Sequence, residues 1–164
     1  PETGQGDPYA AYTFGCTIAE VEVDLETGQV DVIRLIPGVA AGKIIQPAVV
    51  KGQVYGCGML GLGYALTEKV VRKDGRMLNP SYTDYLIPTI KDMPEMAELV
   101  VVEDEYKYSG FGAKGVGEIA FIATPLAIAN ALYQAVGIRF YDMPLDTEKI
   151  YFAIREKKNH GSRS

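Results

Sequence analysis

The sequence predicts an α+β fold: a mixed sheet with a β-hairpin and two main helices. Three observations carry this. Residues 20–24 alternate acidic and apolar side chains (Glu20, Val21, Glu22, Val23, Asp24), the period of a half-buried strand. Pro47 and the pair Thr124-Pro125 each stand at the head of an apolar stretch of helical length. Strands and helices then alternate irregularly, without the strand–helix–strand repeat of a parallel α/β sheet.

A first strand is expected over Thr17 to Asp24. Glu26-Thr27-Gly28-Gln29 reads as a turn and Val30 to Ile36 as the returning strand, ended by Pro37-Gly38, so the pair is a hairpin. Gln46-Pro47 opens a helix running toward Leu66. Its interior holds Gly52, Gly56, Gly58, Gly61 and Gly63. Each glycine costs a helix roughly 1 kcal/mol against alanine, which calls for a compensating role. Close packing is favoured over a ligand lying on the backbone. Thr67 to Val71 reads as a strand that bends at Lys73-Asp74-Gly75-Arg76. Asn79 to Pro94 is irregular, punctuated by Pro80, Pro88 and Pro94. Glu98 to Val102 is a short apolar strand. Thr124 is expected as the N-cap and Pro125 as the first residue of a second helix, which runs to Gly137 as its C-cap. Asp146 or Thr147 caps a last short helix around Glu148 to Arg155. Residues 1–10 read as a loop cut from a longer chain, 11–156 as one domain, and 157–164 as a frayed polar tail.

A chain of 164 residues is long enough for one domain with a core. A net charge of −5 argues against nucleic acid as the main partner, since phosphate binding needs a basic patch. No apolar run reads as long enough to cross a bilayer, and no basic segment precedes an apolar one as in a signal peptide. No membrane and a cytosolic setting are therefore expected. Cys16 and Cys57 form neither a CxxC pair nor a Cys/His cluster, so no structural zinc or iron–sulfur site is expected within the chain. Both are expected to be reduced core residues.

The most informative segment is Gly112-Ala113-Lys114-Gly115-Val116-Gly117-Glu118. Glycine lets a backbone approach a ligand closely and take positive φ. Successive N–H groups in such a turn form a concave anion site. Glu118 would then stand beside whatever the loop binds. A phosphate loop of the usual kind needs GxxxxGK[ST], but Lys114-Gly115 has the reverse order and no Ser or Thr follows. His160 lies in the polar tail, away from any chemistry. Tyr82 and Tyr85 read as packing residues.

The order AEVEVD, TGQV, GQVYG with GLGYAL, NPSYTDYLIP, FGAKGVGE and AIANAL resembles the C-terminal part of the molybdenum-binding subunit of xanthine dehydrogenase and aldehyde oxidase-type hydroxylases. The resemblance covers about Ala11 to Ile150, and GAKGVGE is its most specific piece. It implies that Glu118 is the general base at a molybdenum centre, where oxidative hydroxylation of a purine, aldehyde or N-heterocycle takes place. A carboxylate ionised at neutral pH accepts a proton, and apolar walls make it a stronger base. The resemblance also implies that Gln53, Lys114, Gly115, Val116 and Gly117 form part of the molybdopterin bed. The Gln53 amide can both donate and accept, and Lys114 could neutralise cofactor charge. No residue of the chain is implied as a metal ligand. The chain departs from the family pattern at Ala41, Gln46, Cys57 and Leu60, which bears on the substrate subtype.

The implied partners are the rest of the molybdenum subunit, iron–sulfur and FAD-carrying domains or subunits, and a small-molecule substrate. This chain would supply one wall of the site, so the fragment alone is not expected to be active and should self-associate through uncovered apolar surface. The competing reading is a non-catalytic domain whose glycine loop binds a phosphate-bearing ligand or acts in assembly.

Overall fold

The computed structural model describes residues 4, 11–96, 98–104 and 106–161. Apart from Gly4, the loop read over residues 1–10 lies outside them, as does the tail beyond Gly161. β1 (Phe14–Val23) and β2 (Val30–Ala40) form the expected hairpin. In the turn, the Asp24 carboxylate accepts from the N–H groups of Glu26 and Thr27. Gly28 takes φ +79°, and a side chain there would run into the backbone of Thr147 and Tyr151. The turn therefore also seats the last helix.

β2 does not end at Pro37-Gly38 but continues to Ala40. Pro37 lies opposite Thr17 on one edge and level with the interruption between two short strands on the other edge. A residue without an N–H is tolerated where a ladder breaks. Further along the chain come β3 (Arg72–Lys73) and β4 (Arg76–Met77), which pair only with each other. The two short edge strands are β5 (Glu95–Met96) and β6 (Val100–Val101), which run parallel to β2 and make the sheet mixed. The apolar run from Glu98 thus contracts to two paired residues. The β1–β2 register slips between Glu20 and Val21, where Val32 faces Val21, Arg34 faces Glu20, and Ile33 is the extra residue. One extra residue flips the inward set of a strand. In β2 the set passes from Val30 and Val32 to Leu35, Pro37 and Val39.

α1 (Pro47–Leu66) begins at Pro47 as expected. Close packing accounts for three of its glycines. A Cβ at Gly61 would lie 2.7 Å from Thr124 Cβ, and Gly58 and Gly63 closely face Met96 and Pro88. Gly52 and Gly56 meet nothing within 4 Å. After α1, residues 67–71 are not a strand. The hairpin lies further on, in β3 and β4, with Asp74 at φ +50° in the turn. Residues 79–94 are irregular apart from one 3₁₀ turn at Ile90–Asp92, boxed by Thr89 and Asp92.

α2 (Ile119–Val136) starts six residues earlier than the sequence suggests: Glu118, not Thr124, is its N-cap, and Pro125 lies inside it. Thr124 is buried and donates its hydroxyl to the Ala120 carbonyl at 2.8 Å, so it serves the helix interior rather than its end. Pro125, the seventh residue of the helix, has no N–H for the Phe121 carbonyl, so that helical bond is missing. Gly137 closes α2 at φ +64°, as expected. By length and mean hydropathy (1.6), α2 could cross a bilayer, contrary to the sequence expectation. Here it packs on β1 and α1 and supplies Ile128 and Leu132 to the core.

α3 spans Thr147–Gly161, well beyond the short helix expected. Asp146 caps it by accepting from Lys149 N–H at 2.9 Å. The expected frayed tail is helical to Gly161. Ile150 and Ile154 pack on Leu132 and Leu145, and Lys157 Nζ reaches the Val136 carbonyl at the end of α2. Cys57 is buried as expected, but Cys16 is exposed on the outer face of β1.

Candidate functional site

One core cluster lies directly beneath the glycine motif. Val39 from β2, Ala41 just after it, Val50, Val54 and Cys57 from α1, and Ala120 from α2 pack together, with Val116 and Ile119 against them. Within the motif, Lys114 and Val116 are half-buried while Gly115 and Gly117 are exposed. Alternate residues therefore anchor the loop and the glycines between them face out. A Cβ at Gly115 or Gly117 would meet nothing within 4 Å. Among the described residues, the N–H groups of Gly115, Val116, Gly117 and Glu118 meet no acceptor.

The loop is fastened at several points. Ala113 bridges Gly42, Lys43 N–H donates to the Gly112 carbonyl at 2.9 Å, and Lys114 N–H donates to the Ala41 carbonyl at 2.9 Å. Gly42 takes φ +68°, and a side chain there would strike the Gly112 carbonyl oxygen. Asp104 holds both sides of this seam. It accepts from Gly42 N–H at 3.1 Å and from Lys114 Nζ at 2.5 Å. The Lys114 side chain is only 7% exposed. Its ammonium is committed to Asp104 and stands over Phe14, so Lys114 is placed to hold the loop rather than to face a ligand. Lys114 holds the Asp104 carboxyl below the usual carboxylate range, with a smaller contribution from Gly42 N–H. Glu103 is lowered likewise by Ile44 N–H and Lys43. Thr13 donates its hydroxyl to the Gly115 carbonyl at 2.7 Å.

Glu118 follows at the junction with α2. It is exposed, and its side chain does not cap the helix. Immediately before it, the Gly117 carbonyl accepts the Cys57 thiol proton, with Sγ 2.6 Å from the oxygen. Cys57 lies one turn beyond Gln53 on α1, and residues four apart share a helix face. The structure thus brings Gln53 and Glu118 to the same end of the molecule, although they lie far apart in sequence. Gln53 is exposed between Gly52 and Gly56, whose missing side chains leave the surface beside it open. Tyr82 is exposed instead of packed. Tyr85 donates its hydroxyl to Glu68 at 2.7 Å, away from the motif. His160 bonds the Glu156 carbonyl in α3.

The residues brought together can hold a flat polar ligand but not a metal ion directly. Among the described residues no group of three or more His, Cys, Asp or Glu side chains is arranged to bind a metal. What is presented is one exposed carboxylate, one exposed amide, a row of N–H groups unpaired among the described residues and two glycine surfaces. Sequence reasoning missed three structural members of the site. Thr13 and Asp104 carry no pattern, because each acts through tertiary contacts alone. Cys57 is read as a plain core residue, and only its place four positions after Gln53 hints at more.

Residues 1–94 match the model of the molybdopterin cofactor-binding domain family. That span contains Gln53 but not the glycine motif or Glu118. The chain is 41% identical over 146 residues to a protein of Bacillus subtilis described as a probable subunit of xanthine dehydrogenase, covering 89% of this chain and 20% of that protein. It is 34% identical over 143 residues to the gamma subunit of the 6-hydroxypseudooxynicotine dehydrogenase complex of Paenarthrobacter nicotinovorans, covering 85% of this chain and 18% of that protein. The aldehyde oxidoreductase structure of Desulfovibrio desulfuricans superposes with a TM-score of 0.82 at 37% identity, over 93% of this chain and 17% of that one. The chain therefore spans about a fifth of the length of the curated relatives it matches. Shared sequence, superposable fold and family model agree: the chain belongs to the molybdopterin cofactor-binding domain family, as a molybdenum-binding domain of the xanthine dehydrogenase and aldehyde oxidoreductase type.

Proposed function

We propose that this chain forms one wall of a molybdenum hydroxylase site and that Glu118 is its general base. The observation that carries this is the mounting of Glu118. Its carboxylate is exposed while the loop that carries it is fastened to β2, α1 and the Thr13 segment. A base needs a fixed position and a free lone pair, and this arrangement supplies both. The donor set fits the cofactor. Gln53 can donate to and accept from a pterin edge, while Gly52, Gly56, Gly115 and Gly117 allow the close approach of a planar group. When bound, the molybdenum cofactor supplies two-electron oxidation of a substrate carbon.

The chain's own part is positioning and proton transfer. Gln53 orients the cofactor edge. The N–H groups of Gly115, Val116 and Gly117, unpaired among the described residues, line the approach, and Glu118 takes a proton on a carboxylate oxygen. Lys114 acts from behind, locking the loop through Asp104. The apolar walls that exclude water from Glu118 come from the remainder of the subunit, since the carboxylate is exposed here. Iron–sulfur and flavin partners receive the electrons. The substrate is a purine, an aldehyde or an N-heterocycle.

The test is Glu118→Gln in the complete enzyme, with metal content measured in parallel. The amide keeps shape and polarity but cannot accept the proton. Turnover should fall by about 10²- to 10⁴-fold with molybdenum content intact. Gln53→Ala should lower molybdenum occupancy together with rate. A Glu118→Gln enzyme with full molybdenum and near-normal turnover would remove Glu118 as the base.

A further inference from the structure

We propose that Cys57 is a positioning residue for Glu118: its thiol proton, donated to the Gly117 carbonyl, fixes the peptide that leads into the base. The inference rests on the reading of Glu118 as the base and goes one step behind it. Three observations support it. Sγ meets the Gly117 carbonyl oxygen, and against an acceptor that has no proton the thiol can only donate. Cys57 is 5% exposed, which leaves its thiol little solvent to bond instead. Gly117 has no side chain of its own to hold it, and its N–H and that of Glu118 are unpaired among the described residues.

The geometry gives the contact its consequence. Upstream, the loop is fixed as far as Gly115 by Asp104, Ala41 and Thr13. Downstream, the first helical bond of α2 is the long one from Ile122 N–H to the Glu118 carbonyl, at 3.4 Å. Between these lies the peptide from Val116 to Glu118, with Val116 wedged in the core. The Cys57 thiol is the polar contact that closes this gap. It ties the Glu118 backbone to α1 one turn from Gln53, so base and cofactor-orienting amide share one rigid support. Burial, and secondarily the nearby Glu118 charge, push the Cys57 thiol up. Both effects keep the proton on sulfur, where the contact requires it.

The test compares Cys57→Ala and Cys57→Ser in the complete molybdenum-binding enzyme. Serine keeps a donor, and its shorter bond to Cβ relaxes the close contact to an ordinary hydrogen-bond length. Three readouts are taken. The first is the S–H infrared stretch, with exposed Cys16 as internal reference and single-cysteine variants to assign each band. The Cys57 band should lie to lower frequency, the mark of a donating thiol. The second is amide hydrogen exchange of Ile122, whose N–H bonds the Glu118 carbonyl, in the cofactor-free protein, which should quicken about five- to tenfold in Cys57→Ala, the worth of one hydrogen bond, and return in Cys57→Ser. The third is kinetics. Molybdenum-normalised kcat should drop about five- to tenfold in Cys57→Ala with KM little changed, and recover in Cys57→Ser.

A Cys57 band matching a free thiol, or exchange unaltered by Cys57→Ala, overturns the tether. Altered exchange with unaltered kcat overturns the positioning role. If Cys57→Ala does not fold, the infrared band of the unmodified protein and the Cys57→Ser variant still decide. Failure of the Glu118 reading shows separately, as normal turnover in Glu118→Gln while the Cys57 band and exchange remain as described.

Discussion

Gly61 sets the distance between the helix that carries Gln53 and the helix that Glu118 begins, and replacing it tests that claim. A Cβ there would lie 2.7 Å from Thr124 Cβ and 3.2 Å from the Phe121 carbonyl oxygen. Neither atom is the free end of a flexible chain. Thr124 is 1% exposed and held by its bond to Ala120. Gly61→Ala must therefore push α1 off α2, at an overpacking cost of about 1–3 kcal/mol. Alanine returns about 1 kcal/mol of helix propensity. Gly52→Ala on the same helix gains that propensity and meets nothing within 4 Å. The difference between the two variants cancels propensity and isolates overpacking at about 1–3 kcal/mol, roughly 5- to 150-fold in an opening constant. Native-state hydrogen exchange of the α1 and α2 amides in the complete subunit reads that constant locally. Gly61→Ala should exchange faster than the parent or near it, and always faster than Gly52→Ala. Equal protection in the two variants would refute the packing account of Gly61.

The seam at Asp104 carries a pH signature. The folded carboxyl lies below its unfolded value because Lys114 holds it, so its contribution is fully present above the usual carboxylate range and is lost as pH falls through the lower folded value. Protection of the Lys114 amide should stay level from neutral into mild acid, after correction for intrinsic exchange, and Asp104→Asn should weaken it throughout; loss already near neutrality would contradict the pairing. Expressed by itself, this chain should carry no stoichiometric molybdenum and should self-associate, since Val49, Leu60, Ile122 and Leu126 are exposed on α1 and α2. Metal analysis and sedimentation check both, and a molybdenum-loaded monomer would count against a one-wall site.

The hairpin, α1 with its start at Pro47, the Gly137 stop and the Asp146 cap were all legible in the chain, because each is set by neighbours in sequence. Alternation needs only a strand's own residues, and a cap needs only the next turn. The motif leading into Glu118 was legible for the same reason: its residues are contiguous. The Thr124-Pro125 signal misled because a local N-cap pattern competes with tertiary packing. Burial of Ile119 and Ala120 against α1 and β2, together with the fit of Thr124 at Gly61, extends α2 upstream to Ile119. α3 likewise outruns the expected end at Arg155, and in that extra stretch Lys157 reaches the Val136 carbonyl and Lys158 reaches Glu26.

What the sequence determined by itself was the set of local conformations and the chemistry on offer: one motif carboxylate and one amide after a glycine. Only the tertiary structure decided which of these meet. The Ile33 bulge selects the inward face of β2, since one extra residue inverts a strand's period. Asp104 is drawn to Lys114 and Gly42, which turns a candidate cofactor cation into the lock of the loop. Cys57 meets Gly117 across 60 positions, and that contact ties the residue before Glu118 to α1 one turn from Gln53. Such pairings depend on loop closure and the sharing of buried volume between distant segments, and no local pattern encodes them.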